Sequence, residues 1–231
     1  MANNRPTALV TGASGGMGRE IVRELAGTHR VIAVGRDPER LAAVSAETGA
    51  ETWALELRDA AAVAARVATL ERLDVLVHAA AVARGLSVED AAVSDWADHF
   101  AVNVTAPAEL TRLTLPLLRE SSGTVIFLGS GASTRPAPGS AVYTASKHAL
   151  RGLADVLRID EEPHGVRVAT IAPGQTNTPM LRGLIPSEAY DAERYIRPES
   201  VAAAVRFVVD APADVQITDV AVRPRRELSR L

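Results

Sequence analysis

Thr11-Gly12-Ala13-Ser14-Gly15-Gly16-Met17-Gly18 follows directly on an apolar run at residues 7–10 and leads into a stretch of helical period at about 16–27. Glycines at 12, 16 and 18 let the backbone turn tightly and let a pyrophosphate approach the start of the next helix. There, unbonded N–H groups and the helix dipole favour anions. The spacing is T-G-x-x-x-G-x-G rather than the commoner G-x-G-x-x-G, and a glycine-rich turn taken alone can be only a turn. Its place after a strand and before an amphipathic helix supports a dinucleotide loop, with Gly12, Ser14, Gly16, Met17 and Gly18 on the cofactor.

Outward from this loop, short apolar runs alternate with helix-period stretches. Strands are expected near 7–10, 31–35, 52–56, 74–78, 124–128, 166–172 and 215–222, and helices near 16–27, 38–48, 60–72, 94–119, 141–162 and 199–210. Seven strands joined by six crossovers predict an α/β fold: a single-domain, Rossmann-like, doubly wound seven-stranded parallel sheet with helices on both faces. The domain spans 1–231, with a cofactor half over about 1–125 and a long irregular stretch at about 173–198 that reads as the substrate loop. Asp37-Pro38 offers an N-cap with proline at the first helical position, and Glu162-Pro163-His164-Gly165 ends a helix.

Composition limits the function. The 231 residues are 47% hydrophobic and 23% charged, ordinary proportions for one well-buried core. There is no cysteine, so no disulfide, thiolate nucleophile or thiolate metal site is available, and His29, His78, His99, His148 and His164 show no paired ligand spacing. No metal is expected. No apolar run approaches bilayer-spanning length, and residues 1–10 lack a basic segment followed by an apolar core. A net charge of −3 argues against nucleic acid or an anionic membrane as partner. A cytoplasmic location and a small-molecule substrate are expected. The arginines near the end, Arg223, Arg225, Arg226 and Arg230, read as a solvated tail or a subunit contact.

Tyr143-Thr144-Ala145-Ser146-Lys147 places a phenol and an ammonium four residues apart, hence on one helix face. A free tyrosine is a poor base at neutral pH, and a nearby cation lowers its pKa toward a range useful for proton transfer. Such pairs also occur on solvated helix faces. Here, however, the 25 basic residues include a single lysine, and it stands four residues after one of only three tyrosines. Arginine differs in shape and donors, so this position calls for lysine. Ser130 lies just after the apolar run at 124–128, at the carboxyl end of a parallel strand where ligands of this architecture bind. Alone it could be an ordinary loop serine; beside Tyr143 and Lys147 it reads as a donor to a substrate oxygen.

Taken together, Thr11 to Gly18, Asn103, Ser130, Tyr143, Lys147 and Pro173-Gly174-Gln175-Thr176-Asn177-Thr178 resemble a short-chain dehydrogenase/reductase along nearly the whole chain. The resemblance implies that Tyr143 is the acid/base and that Lys147 holds the nicotinamide ribose and lowers the tyrosine pKa. It implies further that Ser130 orients substrate, that Asn103 supports a water relay, and that Pro173, Thr176 and Thr178 contact the nicotinamide end. From the residues alone, Asn103 is only a polar residue inside a helix. The expected function is hydride transfer between NADP(H) and a small carbonyl or alcohol. The alternatives are an NAD-dependent alcohol dehydrogenase and a dinucleotide-sensing regulator without turnover. The family also implies a homo-oligomer, a dimer or tetramer built on the helices near 94–119 and 141–162. Leu110, Leu113, Leu117, Leu150 and Leu153 would serve either that contact or the core.

Three places depart from the family pattern. His78-Ala79-Ala80-Ala81 replaces N-N-A-G, so the side-chain hydrogen bonds of that turn must come from elsewhere, although Ala79 still lets the backbone approach adenosine. Glu56-Leu57 stands where an aspartate commonly touches adenine. Val220-Ala221-Val222-Arg223-Pro224 replaces a D-G-G-like turn. At the end of the second strand, Gly35 occupies the place of an acid in many NAD-dependent members, and Arg36 follows. An arginine there accommodates a 2′-phosphate, so NADPH is expected over NADH. Asp37 is read as the cap of the next helix rather than a ribose ligand.

Overall fold

The first strand, β1 (Thr7–Thr11), is buried on both faces, as a central parallel strand must be. In this computed structural model, which describes residues 5–135 and 137–226, β1 pairs with β2 (Arg30–Gly35) on one side and β4 (Val75–His78) on the other. β3 (Glu51–Ala54), β5 (Thr124–Leu128), β6 (Arg167–Pro173) and β7 (Asp219–Val222) complete a seven-stranded parallel sheet in the order β3-β2-β1-β4-β5-β6-β7. The chain reverses its direction of travel between β1 and β4. That switch point opens a crevice at the carboxyl ends of the strands.

Alternation along each strand divides the core in two. Ala8 and Val10 face α1 (Gly16–Ala26), α2 (Pro38–Thr48) and α8 (Pro198–Val209), packing with Ile21, Leu41 and Val205. Leu9 faces the opposite layer of α3 (Ala60–Val67), α5 (Ala106–Ser121) and α6 (Ala141–Glu161), through Val63, Leu118 and Leu150. Burying each such side chain contributes about 1.5–3 kcal/mol, which is what fixes the helices to the sheet. The helix ends obey local chemistry. Asp37 accepts a hydrogen bond from the Arg40 N–H and Pro38 opens α2, while Gly49 closes it at φ 71.

Four boundaries differ from the sequence reading. β3 ends at Ala54, so Glu56 lies beyond the strand, and α3 ends at Val67, well short of residue 72. β7 begins only at Asp219, after Pro212, with an exposed, irregular segment before it. The expected helix at 94–119 is α4 (Val93–Phe100), a π-helical turn at Ala101–Thr105, and then α5. Pro107 has no N–H to offer the Asn103 carbonyl four residues back, so an unbroken α-helix could not satisfy that carbonyl here. The stretch after β6 carries the short helix α7 (Pro179–Arg182) and two single 3₁₀ turns. Of the terminal arginines, Arg230 lies outside the described residues. Among those described, no helix is long and apolar enough to cross a membrane.

Candidate active site

The loop between β1 and α1 is shaped by backbone contact. Gly12 sits at φ 67, and a Cβ on it would stand 2.7 Å from the Ala80 nitrogen. A Cβ on Gly18 would collide with the Gly12 carbonyl. No side chain caps the N-terminus of α1, so its first N–H groups face a cavity of about 230 Å³. Gly12, Ser14, Gly16, Met17, Gly18, Arg36, Glu56, Leu57, Ala79 and Thr178 all line that cavity. A bare cradle of N–H groups joined to an end bearing Arg36 and Arg40 fits a dinucleotide with an additional phosphate on its adenosine side.

The turn after β4 obtains its hydrogen bonds from β1. Thr11 Oγ1 accepts from the Ala79 and Ala80 N–H groups, each at 3.1 Å, which replaces the side-chain bonds that His78-Ala79-Ala80-Ala81 cannot make. His78 itself is buried, stacked on Phe127 with ring centroids 4.8 Å apart and with Nε2 2.9 Å from Thr111 Oγ1. Burial pushes its pKa down to about 3, so the ring is neutral and structural. Glu56 turns its carboxylate to Arg58, accepting at 3.1 Å from both the backbone N–H and Nη2, and lies 3.9 Å from Arg36. Chiefly through the Arg58 hydrogen bond, its pKa falls below the usual carboxylate range.

A second cavity, of about 480 Å³, adjoins the first: Met17, Thr178 and Met180 line both. Ser130, Tyr143, Pro173 and Thr176 line this one. Ser130 ends the segment leaving β5 and caps the 3₁₀ turn Gly131–Ser133, its Oγ accepting from the Ala132 N–H at 3.1 Å. Ser133 returns a bond to the Ser130 carbonyl and accepts from the Ser130 N–H. Tyr143 and Lys147 share one face of α6. The lysine is buried to 2% exposure, its Nζ donating to the Leu128 carbonyl at 2.9 Å and lying 5.8 Å from the Tyr143 ring centroid. Burial pulls its pKa down to about 8. Burial also raises the Tyr143 phenol above its ordinary range, with the Ser130 hydroxyl pulling the other way. Desolvation thus outweighs the Ser130 hydrogen bond, and the phenol pKa moves up rather than down as the Y-x-x-x-K spacing led one to expect. Asn103 lines neither cavity. Fully buried in the π turn, it accepts from the Val82 N–H at 2.8 Å and donates to the Val82 carbonyl and Ser146 Oγ, each at 3.0 Å.

A strand–glycine loop–helix cradle that opens onto a serine and a tyrosine, with a buried lysine on the tyrosine's helix face that lines neither cavity, is one arrangement, and a profile described as short chain dehydrogenase matches residues 6–189. The chain belongs to that family. It is 34% identical to the NADP-dependent 3-hydroxy acid dehydrogenase of Salmonella typhi over 94% of each chain. Among solved structures, serine dehydrogenase in its closed form with NADP+ is 32% identical with a TM-score of 0.86, covering 94% of each chain. A short-chain dehydrogenase/reductase of Corynebacterium glutamicum is 40% identical with a TM-score of 0.74, covering 95% of this chain and 100% of that one.

This short-chain dehydrogenase also places residues in its cavities that the sequence reading passed over. Arg40 joins Arg36 at the adenosine end, and its Nε pairs with Asp37 at 3.1 Å. Proline at the first position of α2 sets Arg40 in the first helical turn, beside the end of β2, and that was the available signal. Arg84 and Arg135 line the second cavity, and so does Arg223, which the sequence assigned to a solvated tail or a subunit contact. They come from three separate segments, and no spacing in the sequence connects them.

Proposed function

We propose that this protein transfers a hydride between NADP(H) and a small carbonyl or alcohol, with Tyr143 as the proton donor and acceptor. The observation that carries the reading is the joining of two cavities at Met17, Thr178 and Met180, one running to the glycine loop and the other to Ser130 and Tyr143. A bound nicotinamide dinucleotide supplies or accepts the hydride. Tyr143 Oη gives its proton to the substrate oxygen during reduction, and burial keeps that proton in place at neutral pH. Ser130 Oγ hydrogen-bonds the same oxygen and orients it. Lys147 holds the nicotinamide ribose, and Pro173, Thr176 and Thr178 border that end. Asn103 ties the segment after β4 to α6, so any part it takes in a proton relay runs through its position rather than its fully engaged amide.

The preference for NADP(H) has local support. Arg36 and Arg40 line the adenosine end, no carboxylate stands at Gly35, and Asp37 is occupied as the α2 cap and in its pair with Arg40. The relatives named for a 3-hydroxy acid and for serine act, by those names, on alcohols that also bear a carboxylate, and the cationic second cavity can take such a substrate. Oligomerisation into a dimer or tetramer belongs to the same reading. The test is Tyr143→Phe, expected to lose turnover by ~10²–10⁴-fold while NADPH still binds, and binds more tightly than NADH. A mutant keeping a tenth of the wild-type rate, or equal affinity for the two cofactors, contradicts it.

A further inference from the structure

The segment from Pro179 to Tyr195 borders both cavities but has little hold on the core. Thr178 and Ile196 on either side of it are buried, and no residue between them is. Met180 lines both cavities, and Leu181 and Leu184 line the second. Met180 and Leu184 are 40% and 45% exposed, so apolar burial does little to fix them. What ties the segment down is polar and converges on one atom. Asn177 Oδ1 accepts from Arg182 Nε at 3.2 Å, from Arg182 Nη2 at 2.8 Å and from Tyr190 Oη at 2.7 Å. The Arg182 guanidinium also lies 5.6 Å from the Tyr190 ring centroid, and that ring packs on Tyr195 with centroids 4.9 Å apart. Backbone joins the two ends: the Asn177 N–H donates to the Ile196 carbonyl at 2.8 Å, and the Ile196 N–H to the Gln175 carbonyl at 3.0 Å.

From this placement we infer that Asn177 and Tyr190, with Arg182, are positioning residues for the bound dinucleotide: they clasp the segment that walls the junction of the two cavities and so set how fast NADPH leaves. The inference rests on the reading of the first cavity as the cofactor site. None of the three lines a cavity, so they act through the neighbours that do. Asn177 adjoins Thr178, whose Cγ2 stands 3.4 Å from where a Cβ on Gly16 would be, and Arg182 ends the short helix that carries Met180. An arginine has only donors, so the amide must keep its oxygen turned to the guanidinium and the phenol. While those bonds hold, Thr178 and Met180 stay at the junction. When they part, no buried side chain between Thr178 and Ile196 draws the segment back, and its opening limits release.

Stopped-flow displacement of NADPH by excess NADP+, followed by fluorescence, reads the release rate directly. Losing one hydrogen bond from the clasp, as in Tyr190→Phe, should speed release roughly 2–12-fold with the association rate and the thermal midpoint unchanged. Asn177→Leu should speed it at least as much. Asn177→Asp keeps an oxygen acceptor for both partners and should restore slow release. Tyr195→Phe, which keeps the ring against Tyr190, should release NADPH like the wild type. In the ligand-free protein, trypsin should cut after Arg182 and Arg194 faster in Tyr190→Phe and Asn177→Leu than in the wild type. Release unchanged in Asn177→Leu, or equally fast in Asn177→Asp, overturns the inference. Faster tryptic cleavage with unchanged NADPH release also overturns it and leaves the cofactor reading standing, whereas a wild type that binds no NADPH overturns both.

Discussion

Lys147 shows how burial alters a residue that its neighbours in sequence seem to define. At 2% exposure its ammonium is stripped of water, and the pKa falls from 10.5 to about 8. The folded protein therefore holds this charge below about pH 8 and loses it above, whereas the unfolded chain keeps it to 10.5. Between those values the unfolded state binds more protons, so this lysine's penalty on stability is relieved as pH rises through that window. Cofactor affinity should move the other way. If Lys147 holds the ribose as proposed, NADPH binding, followed by fluorescence, is expected to weaken severalfold as pH rises through about 8, because its ammonium becomes an amine. Lys147→Arg, charged throughout, should bind poorly at all pH values and show no such inflection. A flat profile in the wild type would remove Lys147 from the ribose.

The element whose sequence was most legible is the turn from β1 to α1, and its glycines are not equivalent. A Cβ at Gly18 meets the Gly12 carbonyl, while one at Gly15, in extended backbone at φ 177, meets nothing within 4 Å. Gly18→Ala is expected to cost about 1–3 kcal/mol by overpacking and to weaken cofactor binding. Gly15→Ala should leave the unfolding midpoint unchanged. Equal midpoints for the two variants in denaturant would show that the close approach does not limit residue 18. The least legible element is the π turn at Ala101–Thr105. Inserting one residue into a helix hardly disturbs its apolar period, so residues 94–119 read as continuous, and only Pro107, four residues beyond Asn103, carried a local signal.

At the scale of the whole molecule, the leucines named as candidates for a subunit contact serve the core. Leu110 and Leu150 are buried, and Leu113, Leu117 and Leu153 pack against the same cluster. The exposed apolar groups of α6 are instead Val156, at 58%, and Ile159, at 69%. If two copies associate through this helix, these side chains meet in the contact. Light scattering should then report a dimer or tetramer for the wild type and a monomer for the double variant Val156→Arg, Ile159→Arg, with helical circular dichroism unchanged. A wild type that is monomeric at micromolar concentration would contradict the oligomer.

Strand alternation, the glycine loop, the Asp37 cap and the spacing of Tyr143 and Lys147 were determined by the sequence itself, because each depends on neighbours within about one helical turn or on a two-residue period. Those features were enough for the fold class, for the glycine loop in the first cavity and for Tyr143 in the second. The tertiary structure alone decided the raised phenol and the lowered ammonium, since desolvation depends on what the rest of the chain packs around a group. It alone decided that Thr11 supplies the hydrogen bonds missing after His78, across the pairing of β1 with β4. The gathering of Arg84, Arg135 and Arg223 in one cleft is of the same kind, because three distant segments meet only once the sheet has ordered its strands.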